Sequence, residues 1–365
     1  MHLLVAITPH GFGHAAQVSP VVNALQRRLP SLKVTILSSL PEAFLRGRLE
    51  GDFDYIGEAP DFGLVMNSAL DIDLEASAAA YYGLHRDWQQ RVDAEARRLE
   101  SLVPDLVLAD VPYLILAAAG QAAIPAAALC SLNWADIYRH YFAQRKEASR
   151  ILADMESAYR AARVFLCPEP SMPMSFLDRR AAIGPIAARG HNRRDELLRR
   201  LGVDAAQSLV LVAPGGVQAR FPVESWPTEQ GIHWLVAADW QVQHPNVSPL
   251  EKTGFGFTDL VASCDAVLGK CGYGTVSECV VNATPLLYIP RPHWPEEQVL
   301  LQWLEDHDAA FPVAPSLLEG GEFTDAVSRA RSLVVKRCEA TGGSQAADRL
   351  LQLVSGFAGD NGESL

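Results

Sequence analysis

A glycine-rich turn near the start of the chain holds two histidines that could do acid–base chemistry. The stretch TPHGFGHAAQVSP, residues 8–20, follows the apolar run LLVAI and precedes the amphipathic run VVNALQRRL. A glycine turn between a strand and a helix either holds a pyrophosphate or aims a side chain at a substrate. Imidazole, with an unperturbed pKa of about 6.5, suits proton transfer near neutral pH. The turn therefore predicts either a cofactor site or a histidine base, His10 or His14.

The cofactor alternative has weak support. GFGHAA satisfies the dinucleotide pattern G-x-G-x-x-A, but the second strand ends in ILSSLPE, without a carboxylate for an adenosine ribose. Ser38 and Ser39 there would suit only a phosphorylated ribose. Because this glycine pattern alone is a weak signal, an oxidoreductase is disfavoured.

A second glycine turn, LGKCGYGTVSE at residues 268–278, has the composition of an anion site. Gly269, Gly272 and Gly274 would let the backbone approach a ligand closely. Thr275 is expected to cap the following helix, whose first amides, together with Lys270, would attract phosphate. One turn into that helix, Glu278 cannot bind phosphate but can accept hydrogen bonds from ribose hydroxyls. The alternative is an ordinary strand–helix turn with Glu278 on the surface.

These motifs resemble a known family. GKCGYGTVSE, followed by PLLYIPR and EEQ, resembles the nucleotide-sugar site of GT-B glycosyltransferases, the MurG-like and small-molecule UDP-sugar glycosyltransferases. HGFGHA, GYGTVSE and the NW-D-IY string are similar to the glycosyltransferase-like N-terminal half of L-arabinokinases. The likeness spans nearly the whole chain. It does not imply sugar kinase activity, because no G-x-x-x-x-G-K-[ST] loop is found.

The resemblance implies roles for the donor-binding residues. Glu278 matches the ribose-binding glutamate, Lys270 stands where many relatives have a phosphate-binding histidine, and a separate pair matches the residues that hold the sugar hydroxyls. The Trp-x-Pro-Gln stretch that many members use for uracil is replaced by TGFGFTD, so the base stays open, with UDP favoured and Phe255 or Phe257 able to stack on it. The full set expected to bind the donor is Gly215, Gly216, Phe257, Lys270, Gly272, Gly274, Thr275, Glu278, Glu297 and Gln298.

The resemblance also answers the question of the first turn. Gly13 and His14 match a pair that presents the histidine to the acceptor, which makes His14 the expected base and His10 the less favoured one. Asp110, at the end of the strand-like DLVLAD, matches the aspartate that pairs with it and would stabilise the imidazolium. Residues expected to line the acceptor site are His10, Gly13, Asn133 and Trp134.

Together these features predict an inverting, metal-independent glycosyltransferase, moving a hexose or pentose from a nucleotide-diphosphate sugar to a small-molecule or glycan hydroxyl. No prosthetic group and no metal site are expected, and the D-x-D at 71–73 is interpreted as turn carboxylates. Two alternatives stay open. One is a non-catalytic nucleotide-sugar-binding module, and the other an enzyme of the same fold that alters the sugar nucleotide, such as a 2-epimerase.

Strand-like and helical segments alternate along the chain, which is typical of parallel sheets covered by helices. We therefore predict two Rossmann-like α/β domains that face each other across a cleft, the GT-B architecture. The expected organisation is an acceptor domain at 1–182, a linker at 183–190, a donor domain with closing helices at 191–357 and a tail at 358–365. The predicted strands are HLLVAIT, KVTILSS, DLVLAD, PAAALCS, RVFLCP, SLVLVAPGG, HWLVAAD, DAVLGKCGYGT and PLLYIP. Helices are predicted at 15–29 and 85–102, and residues 135–162 are predicted to be helical.

Composition narrows the function classes further. The 365 residues carry a net charge of −12, which disfavours broad binding to nucleic acid or anionic lipid. Six cysteines form no C-x-x-C pair and are interpreted as reduced packing thiols. The apolar start lacks the basic flank of a signal peptide, and YLILAAAGQAAIPAAALC is interrupted by polar and helix-breaking residues. A cytoplasmic protein is expected, with its oligomeric state open.

Overall fold

The computed structural model describes residues 1–68, 71–215 and 220–360, with side chains given up to residue 355. The chain divides into two compact units. Unit 1 comprises Met1–Asn67, Asp71–Ile186 and the chain from Thr341, and unit 2 comprises Ala187–Ala340 together with Ser68.

Unit 1 is built on a seven-stranded sheet in which every recorded strand pair is parallel. The strand order β3-β2-β1-β4-β5-β6-β7 changes direction between β1 and β4. Long runs of Val, Leu, Ile and Ala form the central strands because both faces of a parallel sheet are covered by helices. The strands are β1 (His2–Ile7), β2 (Lys33–Leu37), β3 (Asp54–Ile56), β4 (Leu106–Asp110), β5 (Ala126–Leu129), β6 (Val164–Pro168) and β7 (Arg180–Ile183).

Seven helices connect these strands. The predicted helix at 15–29 begins earlier, at Phe12, because Gly11 already provides the cap. The predicted helix 85–102 is interrupted at Asp87, and the helical region 135–162 forms two helices. The helices are α1 (Phe12–Arg28), α2 (Glu42–Arg46), α3 (Leu74–Arg86), α4 (Trp88–Leu102), α5 (Tyr113–Gln121), α6 (Trp134–Phe142) and α7 (Ala148–Ala161).

The reversal of strand order places the carboxyl ends of β1 and β4 side by side. Strands β1 and β4 are parallel neighbours, and Ile7 pairs with Asp110 at their carboxyl ends. The backbone N–H of Thr8 donates to the carbonyl of Asp110 over 3.3 Å, which fixes the following turn against β4. Ligands of open α/β sheets bind at such a switch point.

Unit 2 repeats the arrangement with a six-stranded parallel sheet in the order β10-β9-β8-β11-β12-β13, which reverses between β8 and β11. Its strands are β8 (Ser208–Ala213), β9 (Ile232–Val236), β10 (Val247–Pro249), β11 (Ala266–Lys270), β12 (Leu286–Ile289) and β13 (Ala310–Pro312). Its helices are α8 (Arg194–Leu201), α9 (Phe257–Ser263), α10 (Tyr273–Val281), α11 (Glu297–Asp306), α12 (Pro315–Gly320) and α13 (Thr324–Arg331).

The last helix, α14 (Gly342–Asp360), returns to unit 1 and packs on α1, although its position in the chain predicts a place in the donor domain. Arg28 donates to Asp348 and to Ser344 over 2.6 Å each, and Gln345 accepts from the backbone N–H of Gly184 over 2.6 Å. Such contacts between distant segments leave no local signal. Of the expected tail, residues 361–365 lie outside the described residues, whereas 358–360 extend α14.

Within the described residues, no helix combines the length and the apolar character needed to cross a bilayer.

Candidate functional site

The first glycine turn is shaped by one residue in a glycine-only conformation. Gly11 has φ 97° and ψ 168°, which L side chains rarely adopt, and its N–H donates to the carbonyl of Pro9 over 2.7 Å. This tight turn starts α1 at once, so Gly13 and His14 lie in the first helical turn. Gly13 is exposed, and a Cβ on it would meet no heavy atom within 4 Å, whereas His14 is only 7% exposed.

His14 and Asp110 form a buried pair. The Nδ1 of His14 lies 3.3 Å from Oδ1 and 3.2 Å from Oδ2 of Asp110, whose side chain is fully buried. The Sγ of Cys130, directly after β5, lies 3.9 Å from the same nitrogen. Burial raises the pKa of the Asp110 carboxyl, and the neighbouring His14 and Cys130 side chains oppose that rise. The two residues that sequence reasoning paired are therefore in contact.

His14, Asp110 and Cys130 also offer three potential metal ligands. One ligand atom from each lies within 4.8 Å of the others, among the described residues. Nitrogen, oxygen and sulfur donors together would suit zinc. The contacts between these atoms equally describe a histidine whose orientation is fixed by a carboxylate, which is the arrangement a general base needs.

Trp134 supports both histidines from within the core. Its ring contacts His10 edge-on, with centroids 5.3 Å apart, and lies 6.2 Å from the ring of His14. The indole is fully buried and its Nε1 donates to Oδ2 of Asp61 over 2.7 Å. A Cβ on Gly63, which has φ 65°, would lie 2.8 Å from the indole. Trp134 thus positions the histidines and offers little of its own surface to an acceptor.

Asp61 is a second carboxyl group in this region that sequence reasoning missed. Burial raises its pKa to about 6, against the opposing effects of the Thr8 hydroxyl, the Trp134 indole and the charge of His14. The residue lies in a coil segment before α3, so neither periodicity nor a motif could have identified it.

Asn133 has a structural use. Its side-chain oxygen accepts from the N–H of Asp136 and its amide donates to the Asp136 carboxylate, each over 2.8 Å, which caps α6. The residue is fully buried. His10 is half-buried, and the backbone N–H of Leu64 lies 3.5 Å from its Nδ1. Of the residues expected to line an acceptor site, His10 and Gly13 are therefore the accessible ones.

In unit 2, the second glycine turn joins β11 to α10. A Cβ on Gly269 would lie 2.2 Å from the carbonyl oxygen of Ala213, so the pairing of β11 with β8 requires glycine there. Gly272 is the N-cap of α10, without a side-chain capping bond, and a Cβ on it would meet no heavy atom within 4 Å. Because the helix begins at Tyr273, Thr275 lies inside its first turn and does not cap it, contrary to expectation.

Lys270, in the second glycine turn, lies close to Gly215, which follows β8. Its Cε lies 2.7 Å, and its Nζ 3.3 Å, from the position that a Cβ of Gly215 would occupy. Gly215 has φ 105°, so this backbone conformation also favours glycine. Burial, followed by the neighbouring Arg291 cation, lowers the pKa of Lys270 to about 7. Gly216, expected in the same loop, lies outside the described residues.

Glu278 and the two phenylalanines differ in burial. Glu278 is 2% exposed on the second turn of α10, whose end is held by Asn282. Phe255 is buried and its ring faces the guanidinium groups of Arg193, at 4.1 Å, and Arg200, at 5.1 Å. Phe257 is half-buried at the start of α9, which leaves it as the more accessible of the two rings.

The EEQ segment, residues 296–298, is hydrogen-bonded to the backbone of the loop that follows β12. Both carboxylate oxygens of Glu297 accept from the backbone N–H of Arg291, over 2.9 and 2.6 Å, and burial raises the Glu297 pKa. Gln298 is exposed. Arg291 donates to the carbonyl of Cys271 and lies over the ring of Trp294, at 5.2 Å. The structure thus brings Arg291 to the second glycine turn, where its charge acts on Lys270.

No family model matches the chain. L-arabinokinase of Arabidopsis thaliana is 27% identical over 365 residues, which cover 96% of this chain and 34% of that protein. The chain therefore spans about a third of the length of the curated relative it matches.

Solved structures of glycosyltransferases share the fold over nearly the whole chain. Arabidopsis thaliana UGT89C1 complexed with UDP has a TM-score of 0.57 at 16% identity, covering 97% of this chain and 99% of that one. CalG4, the calicheamicin glycosyltransferase, has a TM-score of 0.59 at 17% identity, covering 99% and 96%. Phytolacca americana UGT2, complexed with UDP-2-fluoroglucose and pterostilbene, has a TM-score of 0.56 at 13% identity, covering 97% and 94%. The chain has the GT-B glycosyltransferase fold, as predicted.

Proposed function

We propose that the protein is an inverting glycosyltransferase that moves a sugar from a UDP-sugar, or a related nucleotide-diphosphate sugar, to a hydroxyl acceptor without using a metal. The observation that carries the proposal is the buried contact between His14 and Asp110, at 3.2–3.3 Å, at the switch point of the unit 1 sheet. The proposal assigns the acceptor to unit 1 and the donor to unit 2.

His14 would act as the general base. In the tautomer that this role requires, Nδ1–H would be donated to Asp110, which would leave the lone pair on Nε2 to take the acceptor proton. The acceptor oxygen forms a bond to the anomeric carbon as the bond from that carbon to the diphosphate breaks. Attack from the face opposite the leaving group inverts the configuration, so an axially linked donor gives an equatorial product. Ionised Asp110 would stabilise the imidazolium as it forms.

The donor-binding residues would each contact a different part of the nucleotide sugar. The first amides of α10 and the Lys270 ammonium would hold the diphosphate and stabilise its charge as it departs, a task that needs no metal. Glu278 would accept from the ribose hydroxyls, and Phe257 would stack on the base. Glu297 and Gln298 would contact the sugar, a hexose or a pentose.

A non-catalytic nucleotide-sugar-binding module is the second candidate. It is favoured by the match to only 34% of a relative that is named as a kinase. A 2-epimerase-like activity of the same fold would instead isomerise the donor when no acceptor is present. Both alternatives keep nucleotide-sugar binding, so it is acceptor-dependent transfer of the sugar that distinguishes the transferase from them.

Binding is tested first, by thermal shift with UDP, GDP, ADP and their glucose conjugates. A ligand at 100 times its Kd stabilises the native state by about 2.7 kcal/mol. Turnover is then followed by NMR, with each stabilising donor alone and with phenol, polyol and sugar acceptors. The transferase proposal expects acceptor-dependent release of the nucleoside diphosphate and an inverted product. Binding without turnover would favour the module, isomerised donor the epimerase, and no binding at all would contradict the assignment of a donor to unit 2.

A further inference from the structure

We propose that His14, Asp110 and Cys130 form a binding site for a thiophilic divalent cation, zinc, and that zinc bound there inhibits transfer. The three residues come from neighbouring elements of unit 1: Asp110 ends β4, Cys130 directly follows β5, and His14 lies in the first turn of α1. The metal site rests on these side chains alone, whereas its effect on transfer rests on the proposed function. Zinc has no part in the transfer itself.

The first support is the arrangement of the donor atoms. The side chains supply one nitrogen, one oxygen and one sulfur, and these atoms lie within 4.8 Å of one another. In a tetrahedral zinc site with bonds of about 2.0–2.3 Å, such atoms lie about 3.3–3.6 Å apart. The Nδ1 of His14 already lies 3.2 and 3.3 Å from the Asp110 oxygens, and 3.9 Å from the Sγ of Cys130. Closing the site around an ion therefore needs side-chain shifts of only about 1 Å.

The second support is the Asp110 carboxylate, which His14 does not satisfy. Nδ1 faces its two oxygens at nearly equal distances, each longer than the usual hydrogen bond of about 2.9 Å. Within the described part of the chain, Oδ2 makes no hydrogen bond, although the side chain is fully buried. A buried oxygen of this kind, facing a nitrogen donor and a sulfur donor, indicates a cation-binding position.

The third support is the charge of the ligand set. Ionised Cys130 and Asp110 carry two negative charges and neutral His14 carries none, so bound Zn²⁺ leaves the buried cluster neutral. Asp61 acts electrostatically on His14 and Asp110 from the neighbouring coil segment, and it adds negative charge when ionised. Mg²⁺ prefers oxygen ligands alone and is not expected to bind.

Zinc at this site would take the base out of the transfer reaction. The Cys130 thiol gives its proton to solvent as the Zn–S bond forms, and the His14 proton moves from Nδ1 to Nε2 as the Zn–N bond forms. Nε2 then carries a proton and has no lone pair for the acceptor hydroxyl. Loading about nine-tenths of the chains with zinc should therefore lower the transfer rate about tenfold. The Kd for UDP should not change, because the donor is assigned to unit 2.

The experiment titrates the intact, reduced and metal-free chain with Co²⁺ and then with Zn²⁺ while the absorption spectrum is recorded. One Co²⁺ per chain should bind with a thiolate-to-cobalt charge-transfer band, and one Zn²⁺ should displace it, whereas Mg²⁺ should not. X-ray absorption of the zinc-loaded chain, freed of excess metal, should show one sulfur ligand at about 2.3 Å among nitrogen and oxygen ligands at about 2.0–2.2 Å. Transfer is measured on the same sample before and after EDTA removes the zinc.

Two variants assign the ligand. Cys130→Ser nearly keeps the side-chain volume and removes the sulfur donor, so the charge-transfer band should disappear and the Kd for zinc should rise by at least about 100-fold. Cys338→Ser, at a half-buried thiol of unit 2, is the matched control and should keep both. Should Cys130→Ser not fold, X-ray absorption of the wild type still decides, because a zinc site without sulfur contradicts the proposal.

The outcomes separate this inference from the proposed function. A one-to-one site with one sulfur ligand, lost in Cys130→Ser and accompanied by a loss of transfer that EDTA reverses, supports it. Absence of zinc binding, or binding that Cys130→Ser leaves intact, overturns the metal site and leaves the transferase standing. Zinc bound through Cys130 with transfer unchanged overturns the inhibition. If the metal-free wild type transfers no sugar, the proposed function and the inhibition both fail, and the spectra still decide the metal site.

Discussion

Replacement of Asp110 by asparagine should slow transfer without weakening the fold. The carboxylate lies 3.2 Å from His14, and at an effective dielectric constant of about 20 a unit charge pair at that distance attracts by about 5 kcal/mol. General-base assistance is typically worth about 10²–10⁴ in rate, or about 2.7–5.4 kcal/mol, so the two figures agree. Asp110→Asn should therefore lower the rate of nucleotide release by two to four orders of magnitude.

Although Asp110→Asn should lose activity, its free energy of unfolding should not fall. A carboxyl whose folded pKa is raised binds more protons in the folded state, so its contribution to stability falls as the pH rises above the unfolded value. A neutral amide does not ionise, so the cost of burying a carboxylate is removed. The free energy of unfolding at pH 7.5 should therefore stay the same or increase.

The assay follows release of the nucleoside diphosphate, with the donor–acceptor pair that the wild type turns over, alongside urea unfolding. Asp154→Asn is the matched control because it changes a second His–Asp pair among the described residues of unit 1, in which Asp154 lies 3.0 Å from Nδ1 of the buried His85. It should retain activity within about twofold and lose about 1 kcal/mol of stability. Activity near the wild-type level in Asp110→Asn, or an equal loss in the control, would refute the reasoning.

Four further predictions concern packing, ligand approach, a side-chain hydrogen bond and pH. Gly269→Ala should destabilise the protein by about 1–3 kcal/mol by overpacking, as measured by urea unfolding, whereas Gly272→Ala should leave stability within about 0.5 kcal/mol. In titration calorimetry Gly272→Ala should nevertheless weaken UDP binding about tenfold, because its methyl group enters space at the helix terminus; unchanged affinity would argue against a phosphate there. Trp134→Phe should cost about 1–3 kcal/mol of unfolding free energy, since it leaves the half-buried Asp61 carboxyl without its 2.7 Å donor, and no loss would mean that water replaces it. Burial lowers the pKa of His233 to about 4, so its protonation opposes folding as the pH falls. Between pH 6.5 and 4.5 the wild type should lose about 2 kcal/mol of stability that His233→Gln does not lose, and parallel pH profiles would contradict this.

The interior of both sheets could be predicted from sequence, and the edges could not. The nine predicted strands are the nine interior strands, and their apolar runs reflect burial on both faces. The strands that were not predicted, β3, β7, β10 and β13, occupy the four sheet edges. They are three or four residues long and at least half of each is partly exposed, so they lack a continuous apolar run.

The same distinction applies to the candidate site. His14 and Asp110 could be paired in advance because the family resemblance implies the pair and Asp110 ends a predicted strand. The structure places both beside the point where the strand order of unit 1 reverses. Asp61 could not, because it reaches Trp134 from a coil segment, through a contact 73 positions apart in the chain. Arg291 ends the motif PLLYIPR, but only the folded loop shows that its charge acts on Lys270.

Chain order also misassigned α14. Nothing in the sequence near residue 341 indicates that the chain leaves unit 2, and the ion pair of Arg28 with Asp348 joins residues more than 300 positions apart. Tertiary contacts of this separation are set by packing, which a pattern of local periodicity does not contain.

The most direct test of the central claim compares His14→Ala with the wild type in two measurements, the Kd for UDP by calorimetry and the rate of acceptor-dependent transfer by NMR. We predict a Kd within about twofold of the wild-type value and a transfer rate at least about 100-fold lower, because His14 serves the acceptor and not the nucleotide. Transfer at nearly the wild-type rate would contradict the assignment of His14 as the base.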